Sequence, residues 1–184
     1  GARLADMDLT GPQTVAYDTG SGAVSLTAVR YNGAIIVNKA GQRFVNELGN
    51  TAVIGTKITE QAGGSGYLVF AQASMDRAAV MKKYMELGYF VKADTVAQLA
   101  AKLGVDANGL EATVQAWHGV IDSGKDAAFG RKDSLFSRID KAPYYGQRIS
   151  PASQTTYGGV VRDKQGHALR KNGSIIPGLF VAGE

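Results

Sequence analysis

Residues 32–47 read NGAIIVNKAGQRFVNE, and this stretch is the most informative about the fold. It opens with an apolar run of strand length, residues 34–38, and a turn over residues 39–42 follows. Residues 43–46 then return with strand composition. An apolar strand, a glycine-containing turn and a second strand predict a β-hairpin.

Helix signals dominate the sequence that follows a predicted strand at residues 67–70. Residues 74–87 are predicted as one helix with Ser74 at its N-cap. Asp94 and Asp106 are placed to cap two further helices, and the second of these has apolar residues at helical spacing. Because the helices are grouped rather than alternating with strands, the fold class is predicted as α+β.

The last third of the chain returns to strand composition, with predicted strands at residues 145–149, 158–162 and 175–182. The final apolar strand is expected to be buried, and its backbone needs neighbouring strands for hydrogen bonding. The sequence ends directly after it at Gly183-Glu184. We therefore expect the chain to be a fragment.

The composition excludes several classes of function. The 184 residues carry a net charge of +4 spread along the chain, without a basic run of the kind that binds nucleic acid. The absence of cysteine excludes disulfides, thiolate metal sites and a cysteine nucleophile. No apolar stretch reaches the roughly 18 residues that a membrane span requires. The compartment stays open.

Two glycine motifs near the end of the chain belong together. Gly158-Gly159 precedes the Gly183-Glu184 pair by one strand-turn-strand segment, and together they resemble the closing half of a flavin-binding domain. The resemblance implies that the glycines let backbone approach the flavin ring and that the glutamate accepts hydrogen bonds from the ribityl hydroxyls.

Nearly the whole chain resembles the fumarate reductase/flavocytochrome c family of FAD-dependent oxidoreductases. Residues 32–47 are similar to that family's NGAIxVNxxGxRFxNE segment, residues 99–131 to the helical part of its cap domain, and residues 143–159 to the return into its flavin domain. The resemblance implies an α+β cap (clamp) domain with flanking strands from the FAD-binding domain. The implied division is residues 1–20 and 151–184 to the FAD domain and residues 21–150 to the cap.

The family's chemistry is hydride transfer from reduced FAD to an activated alkene, with the cap closing over the flavin to exclude water. FAD is accordingly expected in the parent protein, although not bound by this fragment, which is expected to be inactive alone. The expected partners are a small-molecule substrate, the remainder of the FAD-binding domain and an electron-donor domain.

Three departures from the family pattern bear on the substrate. Thr51 stands where the family has its acid arginine, residues 153–159 lack the family's histidine, and Pro12-Gln13-Thr14 stands at its HPT-like site. Neutral polar groups therefore replace proton-donating and carboxylate-clamping ones. The sequence predicts reduction of an enoate or enone other than fumarate. A ketosteroid-type flavin dehydrogenase and a non-catalytic isolated cap domain are the alternatives.

Motif positions assign the candidate site residues. The predicted catalytic residues are Arg30 and Tyr157, and the predicted substrate-binding residues are Thr51 and Thr155. Arg30 could equally be a buried arginine paired with a carboxylate, and Tyr157 a core tyrosine. The predicted FAD-binding residues are Gln154, Gly158, Gly159, Gly183 and Glu184.

The two histidines give no metal site. His118 is expected to be half-exposed on its helix, and His167 lies in a predicted turn. Neither has a second ligand at metal-binding spacing.

Overall fold

A computed structural model describes residues 1–183, without the side chains of residues 12–14. The chain forms two compact units. Gly1–Pro12 and Ser153–Glu184 make up unit 1, and Gln13–Ala152 make up unit 2.

The described residues form ten strands and six α-helices. The strands are β1 (Leu4–Ala5), β2 (Thr10–Asp18), β3 (Ala23–Ser25), β4 (Ile35–Val37), β5 (Gly66–Ala71), β6 (Val91–Ala93), β7 (Tyr144–Thr156), β8 (Gly159–Val160), β9 (His167–Leu169) and β10 (Ile175–Phe180). The helices are α1 (Thr27–Tyr31), α2 (Thr51–Thr59), α3 (Gln72–Met75), α4 (Ala79–Glu86), α5 (Val96–Leu103) and α6 (Ala107–Ser123).

The main sheet has the strand order β3-β2-β7-β5-β4, and β6 also pairs with β7. Strand β5 lies between β4 and β7, is fully buried and runs antiparallel to both. Its side chains alternate between two cores, as the period of two in a strand requires. Leu68 and Phe70 join the core on one face, and Val69 joins the core on the other. Covered on both faces, the central strands read as continuous apolar runs.

Helices supply the second half of each core. On one face lie Val29, Ile54, Ile58, Met75 and Met81, which come from α1 to α4. On the other lie Leu99, Leu110, Val114 and Trp117, which come from α5 and α6. Unit 2 is therefore a sheet with helices on both faces, and the predicted mixture of helix and sheet is confirmed.

The ends of α5 and α6 follow local signals. The Asp106 carboxylate accepts from the Gly109 N–H at 2.6 Å, as predicted, and Gly104 and Gly124 close the two helices in left-handed backbone conformations. The cap of α5 was predicted one residue early. Thr95 accepts from the Gln98 N–H at 3.1 Å, so it performs the role expected of Asp94.

The predicted hairpin is only partly formed. Its turn exists, because the Asn38 N–H donates to the Gln42 carbonyl at 2.9 Å. The returning segment makes one bridge, Val37 to Arg43, and then leaves the sheet. Strand β4 takes β5 as its partner instead. The prediction of a second strand at residues 43–46 was wrong because the Arg43 and Glu47 side chains enter a buried ionic cluster.

The predicted helix over residues 74–87 is two helices, α3 and α4. Ala78 is extended, with φ −145° and ψ 138°, and separates them. Ser74 is not a cap. Its hydroxyl is buried and donates to the Ser137 hydroxyl at 3.1 Å, a contact that a local pattern does not reveal.

Unit 1 contains two small antiparallel pairs, together with the first residues of β2 and the last residues of β7. Strand β1 pairs with β8, with Leu4 opposite Val160 and Ala5 opposite Gly159. Strand β10 pairs with β9. Within the described residues the final strand is not buried, since Leu179 is 44% and Phe180 64% exposed. Its burial by neighbouring strands of the parent protein stays a prediction. In the described part of the chain, no helix has both the length and the apolar character needed to cross a membrane.

Candidate active site

A cavity of about 410 Å³ in unit 1 brings together four of the predicted site residues. Its walls are Ala5, Asp6, residues 156–162 and residues 181–183. Tyr157, Gly158, Gly159 and Gly183 all contribute to it. These residues come from two separate segments. The bridge between Arg162 and Ala168 joins the β1–β8 pair to the β9–β10 pair, and the Val181 N–H donates to the Gly166 carbonyl.

Two of the glycines leave the cavity wall open. A Cβ atom on Gly159 or on Gly183 would meet no atom within 4 Å, and Gly183 has φ +153°, which side-chain-bearing residues rarely adopt. Main chain is therefore accessible at both positions. This is the surface that a flat cofactor ring needs, so the residues present fit a flavin.

Gly158 is a glycine for a different reason. A Cβ atom there would lie 1.9 Å from the carbonyl oxygen of Asp6. The backbone of Asp6, in the turn that follows β1, thus occupies the space where a side chain of residue 158 would be. Asp6 itself has φ +54°, an uncommon value for a residue other than glycine.

Tyr157 is not a core tyrosine. Its side chain is 67% exposed, and its N–H donates to the Leu9 carbonyl at 3.0 Å. The phenol lies over Gly11, where a Cβ atom would be 3.0 Å from the phenol oxygen. The hydroxyl is therefore available to a ligand.

Gln154 and Thr155, the other predicted residues of unit 1, lie on β7 beside the cavity rather than in its wall. Thr155 is half-buried, and its Cβ lies 3.3 Å from the position of a Gly11 Cβ atom. Gln154 is exposed. Glu184 falls outside the described residues, so its predicted role stays a prediction. The side chains of Pro12, Gln13 and Thr14, at the HPT-like site, also fall outside them.

Thr51 and Arg30 belong to unit 2. Thr51 is the exposed first residue of α2, directly after its cap Asn50. Arg30 is buried on α1, and its Nη1 donates to the Glu47 carbonyl oxygen at 2.8 Å. Burial lowers the pKa of Arg30 below its ordinary value.

The alternative expectation for Arg30, a pair with a carboxylate, is not met among the described residues. Its hydrogen bond goes to a backbone carbonyl, and its buried Nε has no partner in the described part of the chain. Arg30 therefore carries a desolvated charge that no described carboxylate neutralises.

A buried ionic cluster in unit 2 was not predicted from the sequence. Arg43 donates to Glu47 at 2.7 Å and to Asp126 at 2.8 Å, and Arg131 donates to Glu47 at 3.2 Å. The ring of Trp117 lies 4.8 Å from the Arg43 guanidinium carbon and 4.9 Å from that of Arg131. The i,i+4 spacing of Arg43 and Glu47 was the only local signal of this cluster.

The pKa values in the cluster shift with their partners. Burial alone would raise the pKa of Asp126, but its hydrogen bond and charge attraction to Arg43 outweigh burial and lower it. Burial alone would lower the pKa of Arg43, but Glu47 and Asp126 outweigh burial and raise it. For Arg131, burial dominates and lowers the pKa despite Glu47. The Asp126 carboxylate and the Arg43 guanidinium thus stabilise each other in their charged forms.

His118 was predicted to be half-exposed but is buried, 9% exposed, because it lies on the core side of α6 next to Trp117. His167 is half-buried in unit 1, and its Nδ1 lies 2.9 Å from an Asp163 carboxylate oxygen. Over the described residues, no cluster of three or more histidine, aspartate or glutamate side chains is placed to hold a metal ion.

A second cleft, of about 460 Å³, lies in unit 2 between α6 and the loop that follows it. Trp117, Gly119 and Phe129 contribute to its walls. None of the predicted site residues lines it.

The mixed helix-and-sheet fold resembles that of a flavin-dependent reductase. The solved structure described as the open conformation of a flavocytochrome c3 fumarate reductase matches with a TM-score of 0.87 and 33% identity. The match covers 100% of this chain and 32% of that one.

The chain belongs to the FAD binding domain family, whose model matches residues 1–184. A fumarate reductase (cytochrome) of Shewanella frigidimarina is 36% identical over 164 residues, which cover 89% of this chain and 28% of the relative. A 3-oxosteroid 1-dehydrogenase of Mycobacterium tuberculosis is 33% identical over 184 residues, covering 82% of this chain and 33% of the relative.

The predicted resemblance to the fumarate reductase-like flavoproteins and the prediction of FAD as their cofactor are therefore confirmed. The chain spans about a third of the length of these relatives.

Proposed function

We propose that this chain forms part of a FAD-dependent oxidoreductase that transfers hydride between the flavin and an unsaturated substrate, an enoate or enone other than fumarate. The observation that carries this proposal is the cavity of unit 1, where accessible main chain at Gly159 and Gly183 adjoins the Tyr157 phenol. FAD, when bound, supplies the hydride.

The chain's own residues have two tasks in this proposal. Gly158, Gly159 and Gly183, with Gln154 and Glu184, hold the cofactor through main chain and polar contacts. The exposed Tyr157 hydroxyl donates the proton that accompanies hydride transfer, or hydrogen bonds to a substrate carbonyl. Thr155 contributes a neutral hydroxyl to substrate binding. Its Cβ lies close to Gly11, as the Tyr157 phenol does.

Motif position assigns a catalytic role to Arg30 and a substrate-binding role to Thr51, and we retain both in this proposal. A desolvated arginine without a described carboxylate partner is suited to an anionic or carbonyl group. Fumarate is disfavoured because Thr51 and residues 153–159 supply neither the arginine nor the histidine that would bind its carboxylates.

We further propose that residues 21–150 are the cap domain and that residues 1–20 and 151–184 belong to the FAD-binding domain. The division of the chain into two compact units, with unit 1 drawn from both ends of the chain, supports this assignment. By this proposal the 184-residue chain alone is inactive and requires the remainder of the FAD domain and an electron donor.

The test is an anaerobic assay of the FAD-loaded protein, supplied with the remainder of the FAD-binding domain where the chain alone does not hold the cofactor. Reduced-flavin absorbance is followed with fumarate, other enoates and cyclic enones as separate oxidants. We expect reoxidation by an enoate or enone and not by fumarate. Replacing Tyr157 by Phe should slow turnover by about 10²- to 10⁴-fold. Unchanged turnover would remove Tyr157 from the mechanism.

A second function is favoured by the relative named 3-oxosteroid 1-dehydrogenase and by the neutral residues at Thr51 and 153–159, where the family pattern has an arginine and a histidine. It is oxidation of an apolar ketone, with electrons flowing from substrate to flavin. Flavin reduction by a saturated cyclic ketone, without reoxidation by any enoate, would establish this function instead. A protein that binds FAD but neither reduces nor oxidises any member of the panel would be a non-catalytic homologue.

A further inference from the structure

Gly11 lies at a position where a glycine is unexpected. It is the second residue of β2, and glycine weakens a strand unless something must approach the backbone closely. Gly11 is buried. The residue that covers it is therefore the reason for its lack of a side chain.

That covering residue is Tyr157. A Cβ atom on Gly11 would lie 3.0 Å from the phenol oxygen, 3.2 Å from the adjoining ring carbon and 3.3 Å from the Thr155 Cβ. All three distances are tighter than ordinary van der Waals contact. Gly11, Thr155 and Tyr157 all belong to unit 1.

We propose that Gly11 is a positioning residue for Tyr157, holding the phenol across β2 at the edge of the cavity. The inference rests on the proposed function, in which Tyr157 donates a proton or hydrogen bond. The backbone fixes the rest of the geometry, since the Tyr157 N–H donates to the Leu9 carbonyl at 3.0 Å.

Asp6, in the turn after β1 (the Asp6 turn), contacts Gly158, the residue that follows Tyr157. Its carbonyl oxygen fills the space beside Gly158 and also accepts from the Leu9 N–H at 3.0 Å. Residues 6–11 therefore contact residues 157–158 at three points, through the Asp6 carbonyl, the Leu9 carbonyl and Gly11. We call residues 6–11 the template for residues 157–158. Glycine at 11 leaves the space that the phenol occupies. The positive φ of Asp6 sets where the backbone of residues 157–158 lies, through the Asp6 and Leu9 carbonyls.

Gly11→Ala is a mild substitution. The nearest obstacle is the far end of a 67% exposed side chain, which can swing away while the strand keeps its backbone. We therefore expect the variant to fold and Tyr157 to move. Gly119→Ala is the matched control, because a Cβ atom at Gly119 would meet no atom within 4 Å.

The first readout is structural and needs no cofactor. The ring signals of Tyr157 in ¹H–¹³C NMR spectra of the 184-residue chain are assigned by their loss in Tyr157→Phe. Gly11→Ala should shift these signals and leave the signals of tyrosines in unit 2, such as Tyr67, in place. Tyr157 signals that do not change would overturn the proposal.

The second readout is a double-mutant cycle on turnover in the FAD-loaded protein. If Gly11 acts through Tyr157, Gly11→Ala lowers kcat about tenfold or more with a smaller change in KM, and has no further effect in the Tyr157→Phe background. Additive losses would overturn the proposal. Should Tyr157→Phe leave turnover unchanged, the proposed proton donor fails while the NMR result still decides the role of Gly11.

The Asp6 turn provides an independent variant should Gly11→Ala not fold. Asp6→Gly keeps the positive φ at no steric cost, whereas Asp6→Val does not. We expect the Tyr157 ring signals to be retained in Asp6→Gly and shifted in Asp6→Val. Equal shifts in both variants would mean that the carboxylate rather than the backbone conformation matters, and would contradict the template.

Discussion

The guanidinium of Arg131 lies 3.2 Å from the carboxylate of Glu47, and neither side chain is exposed to solvent. The same guanidinium donates to the Ala34 carbonyl at 2.9 Å, directly before β4. This pair therefore ties the loop after α6 to the stretch that precedes the central strands. Its hydrogen bonds are local in space and distant in sequence.

Removing one partner of this pair is expected to be costly. Arg131→Met leaves Glu47 with one arginine fewer in a buried site, and breaking a buried pair of this kind costs about 3–5 kcal/mol. Urea denaturation followed by circular dichroism measures the loss. Glu60→Gln, which breaks an exposed pair with Lys57, is the control and should cost about 0–1 kcal/mol. A loss below 1 kcal/mol for Arg131→Met would contradict the account of the cluster.

Arg30→Met should behave differently, although Arg30 is also a buried arginine. The substitution loses one hydrogen bond but also removes a desolvated charge whose Nε has no partner in the described part of the chain. These effects offset one another, so the stability should change by no more than about 1 kcal/mol. Turnover of the FAD-loaded protein should nevertheless fall. A stability loss as large as that of Arg131→Met, with turnover retained, would make Arg30 a structural residue.

Acid should weaken the cluster through Asp126. Its folded pKa lies below the ordinary value of 3.8, so it contributes stability that is present above that pH and is lost as the pH falls through its folded pKa. We expect the unfolding free energy to decline below about pH 4, and more steeply than in Asp126→Asn. Urea titrations between pH 6 and pH 2.5 test this. Asp140→Asn, at the surface, is the control and should follow the unmodified chain.

Two glycines of α6 should respond oppositely to alanine. A Cβ atom on Gly109 would lie 1.9 Å from the Ala40 carbonyl oxygen, so Gly109→Ala forces the turn after β4 off the helix and costs about 1–3 kcal/mol. Gly119 faces open space, and alanine there should gain about 1 kcal/mol from helix propensity. Thermal denaturation of both variants measures the difference. Equal effects would mean that the turn does not pack on α6 as described.

Local sequence signals correctly predicted those secondary-structure elements whose ends are fixed by neighbouring residues. Asp106 and Gly124 mark the ends of α6 because caps act within one helical turn. The returning hairpin strand and the single helix over residues 74–87 were wrong because distant residues decide them. Strand β4 pairs with β5 rather than with residues 43–46, and the Ser74 hydroxyl donates to the distant Ser137 instead of capping a helix.

The candidate site divides in the same way. Tyr157, Gly158, Gly159 and Gly183 were predicted from motif position, and the structure groups them around one cavity. The close approaches of Asp6 to Gly158 and of Gly11 to Tyr157 were missed because they join residues near opposite ends of the chain. No periodicity or motif spacing reports such a contact.

The affinity for FAD of a Gly159→Val variant decides whether the flavin lies against the cavity of unit 1. A Cβ atom at this position would meet no atom within 4 Å, so we expect the variant to keep its fold and its thermal stability. It would, however, fill the cavity wall against which the flavin is proposed to lie. Flavin fluorescence measures the Kd in the protein that retains FAD, with Gly119→Ala as the control. We expect the Kd of Gly159→Val to rise about tenfold or more, a loss of at least about 1.4 kcal/mol of binding free energy. An unchanged Kd in a folded Gly159→Val protein would mean that the flavin does not lie against this cavity.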